Sequence, residues 1–261
     1  MRREQGTGQR KQGRSRFFLI ACLLFPLSGC HFTTFPDPND PNAAGLKQPE
    51  VLRRQLKGAS DALLTREIGG EITDARYHEL LSAYAEELLK DTDIEEMEPG
   101  KAWEYGEVFR TAGRWKETEA LFRIAAKVSP NEDRRVNDRL RLAEALAHLG
   151  RVPEAIAQVR ETFSAPPGAK APILYGVLLE LVPAGRGKGK DVELARLLED
   201  AIRQSELVEV DRSTAAGRAF YQALPFHQRD ARELAARLYL SAGRSADVER
   251  VLGGKSPTLH V

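Results

Sequence analysis

The chain has 261 residues, enough for a sizeable core or an extended repeat array. Its 39 basic and 38 acidic residues leave a net charge of +1, without the strong basic balance that marks a nucleic-acid partner. Cys22 and Cys30 both lie near the N-terminus, so everything beyond residue 30 is without a thiol.

Arg2, Arg3, Arg10, Lys11, Arg14 and Arg16 form a basic N-terminus ahead of an 11-residue apolar run, Phe17 to Leu27. That length suits the hydrophobic part of an export signal. It falls short of the roughly 20 apolar residues that a membrane-spanning helix needs. The run closes on Leu27-Ser28-Gly29-Cys30, with small residues at 28 and 29. This pattern resembles the lipobox of bacterial lipoproteins, in which the Cys sulfur is diacylglycerylated and the peptide is cut just before it. The resemblance implies a lipoprotein signal peptide over 1–29, lipidation at Cys30 and membrane attachment in the bacterial cell envelope. An ordinary cleaved signal and an uncleaved anchor are the alternatives. His31 follows the Cys where Asp would signal inner-membrane retention, so the resemblance favours the periplasmic face of the outer membrane. Cys22 would leave with the signal, which rules out a disulfide within the mature chain. Without residues 1–29 the balance is 33 basic to 37 acidic residues, near −4, which again argues against nucleic acid.

Residues 30–49 read as a lipidated tether. Phe35-Pro36-Asp37-Pro38-Asn39-Asp40-Pro41-Asn42 has no apolar period and favours extended or turn conformations. A flexible chain of that length would hold the folded part roughly 25 Å from the bilayer.

Beyond the tether the pattern is helical throughout. Residues 50–100 give an N-terminal helical pair. Leu52, Leu56, Ala59 and Leu63 recur at helix spacing, and Gly69-Gly70 ends the first helix. Thr73 or Asp74 caps the second, whose stripe is Tyr77, Leu80, Leu81, Tyr84 and Leu88. The acidic stretch Asp91 to Glu98 reads as a hydrated loop, since nothing in it imposes a cation-binding spacing.

From residue 102 the chain repeats itself. Gly106 and Ala125 are small enough for two antiparallel helices to approach closely, and Gly113 supplies the turn between them. Phe109 and Phe122 fill the gap, and Pro130 stops the second helix. With Tyr105 and Trp115, these residues make 101–130 resemble the tetratricopeptide (TPR) repeat, with Thr118 a mild departure at a small position. A second copy, 136–167, carries Leu142, Ala143, Leu146, Gly150, Val152 and Ala155. Gly113 to Gly150 spans 37 residues against the 34-residue norm, and Asn131-Glu132-Asp133 can absorb the excess. A degenerate third copy, 170–204, opens with Tyr175, Gly176 and Leu179 and has a swollen inter-helix turn, Pro183 to Lys190, rich in Gly and basic residues. Residues 211–254 give C-terminal helices: one over 211–224 stopped by Pro225, then a degenerate fourth copy with Ala235, Ala236, Tyr239, Gly243, Val248 and Leu252. The resemblance implies an all-α fold, an α-α superhelix built as a TPR-like solenoid of antiparallel helix pairs.

Chemistry-bearing motifs are sparse. Gly185 to Asp191 fails as a Walker loop, because Ala184 stands at the first Gly position and Asp191 replaces the hydroxyl. It reads as a solvated basic turn, with contact to a partner or a lipid phosphate as the alternative. His31, His78, His148, His227 and His260 show no metal-ligand spacing, so no metal and no cofactor is expected. His227 and Asp230 read as a helix-start pair after Pro225, not as a base with its orienting carboxylate. The Lys and Asn with which some TPR proteins clamp a terminal carboxylate are absent, since the corresponding positions hold Trp103 and Glu107, Leu140 and Glu144, and Ile173 and Val177.

The expectation is a non-catalytic scaffold for protein–protein interaction in the cell envelope, similar in plan to TPR lipoproteins of outer-membrane assembly, pilus biogenesis and cell-wall enzyme recruitment. The alternative is a periplasmic cell-wall hydrolase or other enzyme with a helical accessory array. The family's concave face, mapped by register, places Trp103, Glu107, Arg110, Asn137, Glu144 and His148 as partner-binding residues. Trp103 stands out as an aromatic offset from the packing positions.

Overall fold

A computed structural model describes residues 48–253, apart from 91, 93 and 96, and no strand occurs among the described residues. All of them belong to one unit, Pro36–Val261. The signal peptide, Cys30, the tether through Lys47 and part of the acidic loop lie outside the described residues.

Helix α1 (Pro49–Ile68) starts on a proline, whose missing N–H costs nothing at a helix start, and ends at Gly69-Gly70. In α2 (Asp74–Leu88), the Thr73 hydroxyl oxygen accepts from the Arg76 N–H at 3.3 Å and caps the first turn. Ala85 and Leu88 are buried on α2, whereas Tyr84, expected in the apolar stripe, faces solvent. Tyr77 sits against α1, its hydroxyl 2.8 Å from the Ser60 hydroxyl.

Helices α3 (Ala102–Ala112) and α4 (Trp115–Val128) meet at Gly113, left-handed at φ 78°. Tyr105, Phe109, Phe122 and Ala125 are buried between them and their neighbours, and α4 ends ahead of Pro130. Asn131 caps α5 (Glu132–His148), its side-chain oxygen accepting from the Arg134 N–H at 2.8 Å. The residues in excess of the repeat norm are thus the cap and first turn of a longer helix. Helix α6 (Val152–Glu161) follows, and each helix from α2 to α6 packs against its predecessor, with α1 also touching α3.

The third segment departs from expectation. Helix α7 (Pro172–Tyr175) runs into a π-helical stretch, Gly176–Leu181, and then α8 (Val182–Gly185). The chain stays helical past Pro183, and the turn begins only at Arg186. Pro183 is tolerated because it lies in the first turn of α8, where its missing N–H falls at a change in hydrogen-bond register. The wider winding also rotates the buried face. Ile173, Leu174, Val177, Leu178, Leu181 and Val182 are buried, while Tyr175 and Leu179, expected to open a repeat, are exposed. Gly176 holds its expected inward position, against Leu140.

Helix α9 (Asp191–Glu206) packs along α10 (Ala215–Ser241), which in turn meets α11 (Ser245–Val251). The expected stop at Pro225 does not occur, and α10 runs straight through it. A mid-helix proline costs about 3 kcal/mol. Burial of Gly217, Ala231, Ala235, Leu238 and Tyr239 on both sides of Pro225 offsets that cost, and Pro225 itself is exposed. Among the described residues no helix is long and apolar enough to cross a membrane.

Candidate functional site

An open groove of about 960 Å³ lies between α1, α2 and α3, with Arg141 of α5 at its inner edge. Its walls carry Arg53, Arg54 and Lys57 from α1, Tyr77 and His78 from α2, and Trp103, Glu107 and Arg110 from α3.

Trp103 is half-buried and packs on the core, and two guanidiniums cover its ring, Arg53 at 4.3 Å and Arg134 at 3.4 Å from the centroid. Each cation is held from behind. Arg53 pairs with Glu104 at 2.9 Å. Arg134 pairs with Asp138 at 3.0 Å, a contact without hydrogen-bond alignment, and the Ser129 hydroxyl donates to Asp138 at 2.7 Å. Asp138 is 1% exposed, and burial pushes its carboxyl above the usual range against the pull of Ser129 and Arg134.

The floor is an ion network spanning three segments. The Arg110 and Arg141 Nε atoms each donate to Glu107 at 3.0 Å, and each guanidinium also reaches Glu144 at 3.3 Å. Arg141 further pairs with Glu180 of the π-helical stretch. Burial disfavours the charged form of Glu107, but Arg110 and Arg141 outweigh it and hold the carboxyl below its usual value. Glu180 is pushed up by burial, with Glu144 adding to the effect and Arg141 opposing it.

Of the residues mapped by register, the groove brings together Trp103, Glu107 and Arg110, and Glu144 lies just beneath them. Asn137 shares the stripe Arg134, Arg141, Glu144 and His148 on α5 but does not line the groove; its amide donates to the Asp133 carbonyl at 2.8 Å. His148 also stands apart. Its ring stacks on Trp115 with centroids 3.6 Å apart, and burial, then Lys188 and Arg110, lowers its pKa below the usual histidine value.

Sequence reasoning missed Arg53, Arg54, Lys57 and Arg141. The signal was present as cations three to four residues apart on the polar side of α1, but α1 was read only for its apolar stripe. The basic loop is likewise more than a solvated turn. Lys188 donates to the carbonyls of Ala147 at 2.5 Å and His148 at 3.2 Å, capping α5 with a cation. Asp191 accepts from the Gly187 N–H at 2.9 Å. His227 and Asp230 sit within α10 and not at a helix start, and they part ways: the His227 ring meets Tyr175 edge-on at 5.9 Å, while Asp230 pairs with Arg229 at 3.0 Å.

No family model matches this chain, and neither a curated protein nor a solved structure matches it.

Proposed function

We propose that this chain is a lipid-anchored scaffold of the bacterial cell envelope, whose TPR-like superhelix of antiparallel helix pairs binds a protein partner in the groove between α1, α2 and α3. The observation that carries the reading is the half-buried Trp103 beneath Arg53 and Arg134 on the wall of a long open groove. A rigid aromatic flanked by fixed guanidiniums is the composition of interface hot spots. The groove's ionisable groups also favour binding over catalysis. Glu107 is locked ionised between two arginines, whereas a general base works best with a pKa near the operating pH.

Two experiments test the reading. Trp103→Ala is expected to abolish photocrosslinked partner capture in the periplasm by the protein that remains folded, at a cost of about 2–3 kcal/mol from its two cation–π contacts and its packing on the core. Unchanged capture by the folded Trp103→Ala protein would leave Trp103 a packing residue only and end the reading. For the anchor, labelled palmitate is expected to enter the wild type and not Cys30→Ala, and the lipidated protein should sediment with outer membranes. Equal labelling of both proteins would exclude lipidation at Cys30.

A further inference from the structure

The groove's chemistry points to a class of partner, an inference that rests on reading this groove as the docking site. The lining carries five cations, Arg53, Arg54, Lys57, Arg110 and Arg141, against three anions, Glu50, Glu104 and Glu107. Glu107, Glu144 and Glu180 balance Arg110 and Arg141, so the positive charge that faces the groove is that of α1, on a chain that beyond residue 29 has 33 basic and 37 acidic residues. Three of the cations come from α1, which lies outside the sequence pattern that begins at residue 102, and all three are exposed.

The anions are largely committed. Glu50 turns to Lys101 at 3.1 Å, outside the groove, and Glu107 is shared by Arg110 and Arg141. Glu144 and Glu180 are bound up behind Arg141. Arg53 and Lys57 of α1 carry their pairs at the surface. Lys57 and its partner Asp61 are both more than half exposed, a pairing worth little and easily exchanged for another carboxylate. Arg53 pairs with Glu104 while its guanidinium lies over the Trp103 ring, which limits how far it can swing. A guanidinium seated on an aromatic ring can still offer its outer N–H groups to a carboxylate.

We propose that the groove takes an acidic segment of a partner protein, its carboxylates received by Arg53 and Lys57. Trp103 is the positioning residue that holds Arg53. Glutamates interspersed among the cations fit discrete carboxylates better than a continuous phosphate backbone.

The test uses the full-length lipidated protein in detergent and a fluorescein-labelled decapeptide of alternating Asp and Ser. Asn and Lys counterparts serve as controls, and fluorescence anisotropy is the readout. The Asp peptide is expected to bind, and the two controls are not. Arg53→Glu and Lys57→Glu should each weaken binding by about tenfold or more, while Arg237→Glu on α10, outside the groove, should leave it unchanged. If Arg53→Glu unfolds the chain, Lys57→Glu at its exposed pair reads the same contact. Equal binding of the Asp and Asn peptides would overturn the inference. So would equal weakening by Arg237→Glu, or equally tight, groove-dependent binding of a DNA oligonucleotide of the same charge. A photocrosslinker at Tyr77 separates this inference from the reading beneath it. Capture there of a partner segment without acidic residues overturns the acidic class and leaves the groove standing. No capture at Tyr77, with capture elsewhere on the chain, removes the groove as well.

Discussion

Arg141→Met is expected to lower stability by about 2–3 kcal/mol, below the range for a fully buried ion pair because Arg141 is itself 26% exposed. Arg141 ties α3 to α5 and to the π-helical stretch through Glu107, Glu144 and Glu180; the variant leaves Arg110 to pair with Glu107 and Glu144 and takes from Glu180 its arginine partner. Burial opposes the charge on Arg141, but the carboxylates outweigh it and hold the guanidinium well above its ordinary value. The pH dependence follows from the signs. In the wild type the Glu107 carboxyl is depressed, so its contribution is fully present above the ordinary value of 4.5 and is lost as pH falls below it. In the variant Glu107 and Glu180 lose the Arg141 charge that lowers their pKa values, so those values rise and protonation relieves the fold. The gap between the two proteins should therefore narrow as pH is lowered from about 7 towards 5. Urea midpoints at several pH values check this, with Arg203→Met as a control, since Arg203 pairs with Asp200 at the surface and should cost under about 1 kcal/mol. A gap that does not change with pH would mean that Arg141 acts through packing of its stem, not through charge.

The parts legible in the sequence were those governed by backbone rules. Gly113 had to supply a turn, Pro130 had to stop a helix, and Thr73 could cap one; α2, α3 and α4 begin and end accordingly. Where tertiary packing outbid a local rule, the reading failed. Pro225 is a helix breaker by propensity, yet α10 passes through it because packing on both sides offsets a single lost hydrogen bond. The π-helical stretch leaves no periodicity signature, and it turned Tyr175 and Leu179 outward while bringing Glu180 to Arg141. The groove was half legible. Register along α3 found Trp103, Glu107 and Arg110, because one helix determines which residues share a face. The opposite wall, α1, lies outside the sequence pattern that begins at residue 102, and its approach to α3 is a long-range contact that no local pattern encodes.

Gly106→Leu is expected to cost about 3 kcal/mol or more, at the upper end of overpacking penalties, because its surroundings cannot yield. A Cβ on Gly106 would sit 2.8 Å from the Phe122 ring at its nearest carbon and within 3.1 Å of two more. Phe122 is fully buried, so its rigid ring has no open space to move into. Even Gly106→Ala must displace that ring, despite alanine's better helix propensity. Gly58 of α1 gives the contrast. Nothing lies within 4 Å of a Cβ there, so Gly58→Ala should stabilise by roughly 0.5–1 kcal/mol from propensity alone. The decisive measurement is the double variant Gly106→Leu/Phe122→Ala. Each single change should destabilise, the first by a clash and the second by a cavity worth about 3–5 kcal/mol. The leucine would occupy part of the space the ring vacates, so the two costs should fall short of their sum by about 1 kcal/mol or more. Additive costs in chemical denaturation would show that Gly106 and Phe122 are not in contact, and that the close approach of α3 and α4 is not what requires a glycine at this position.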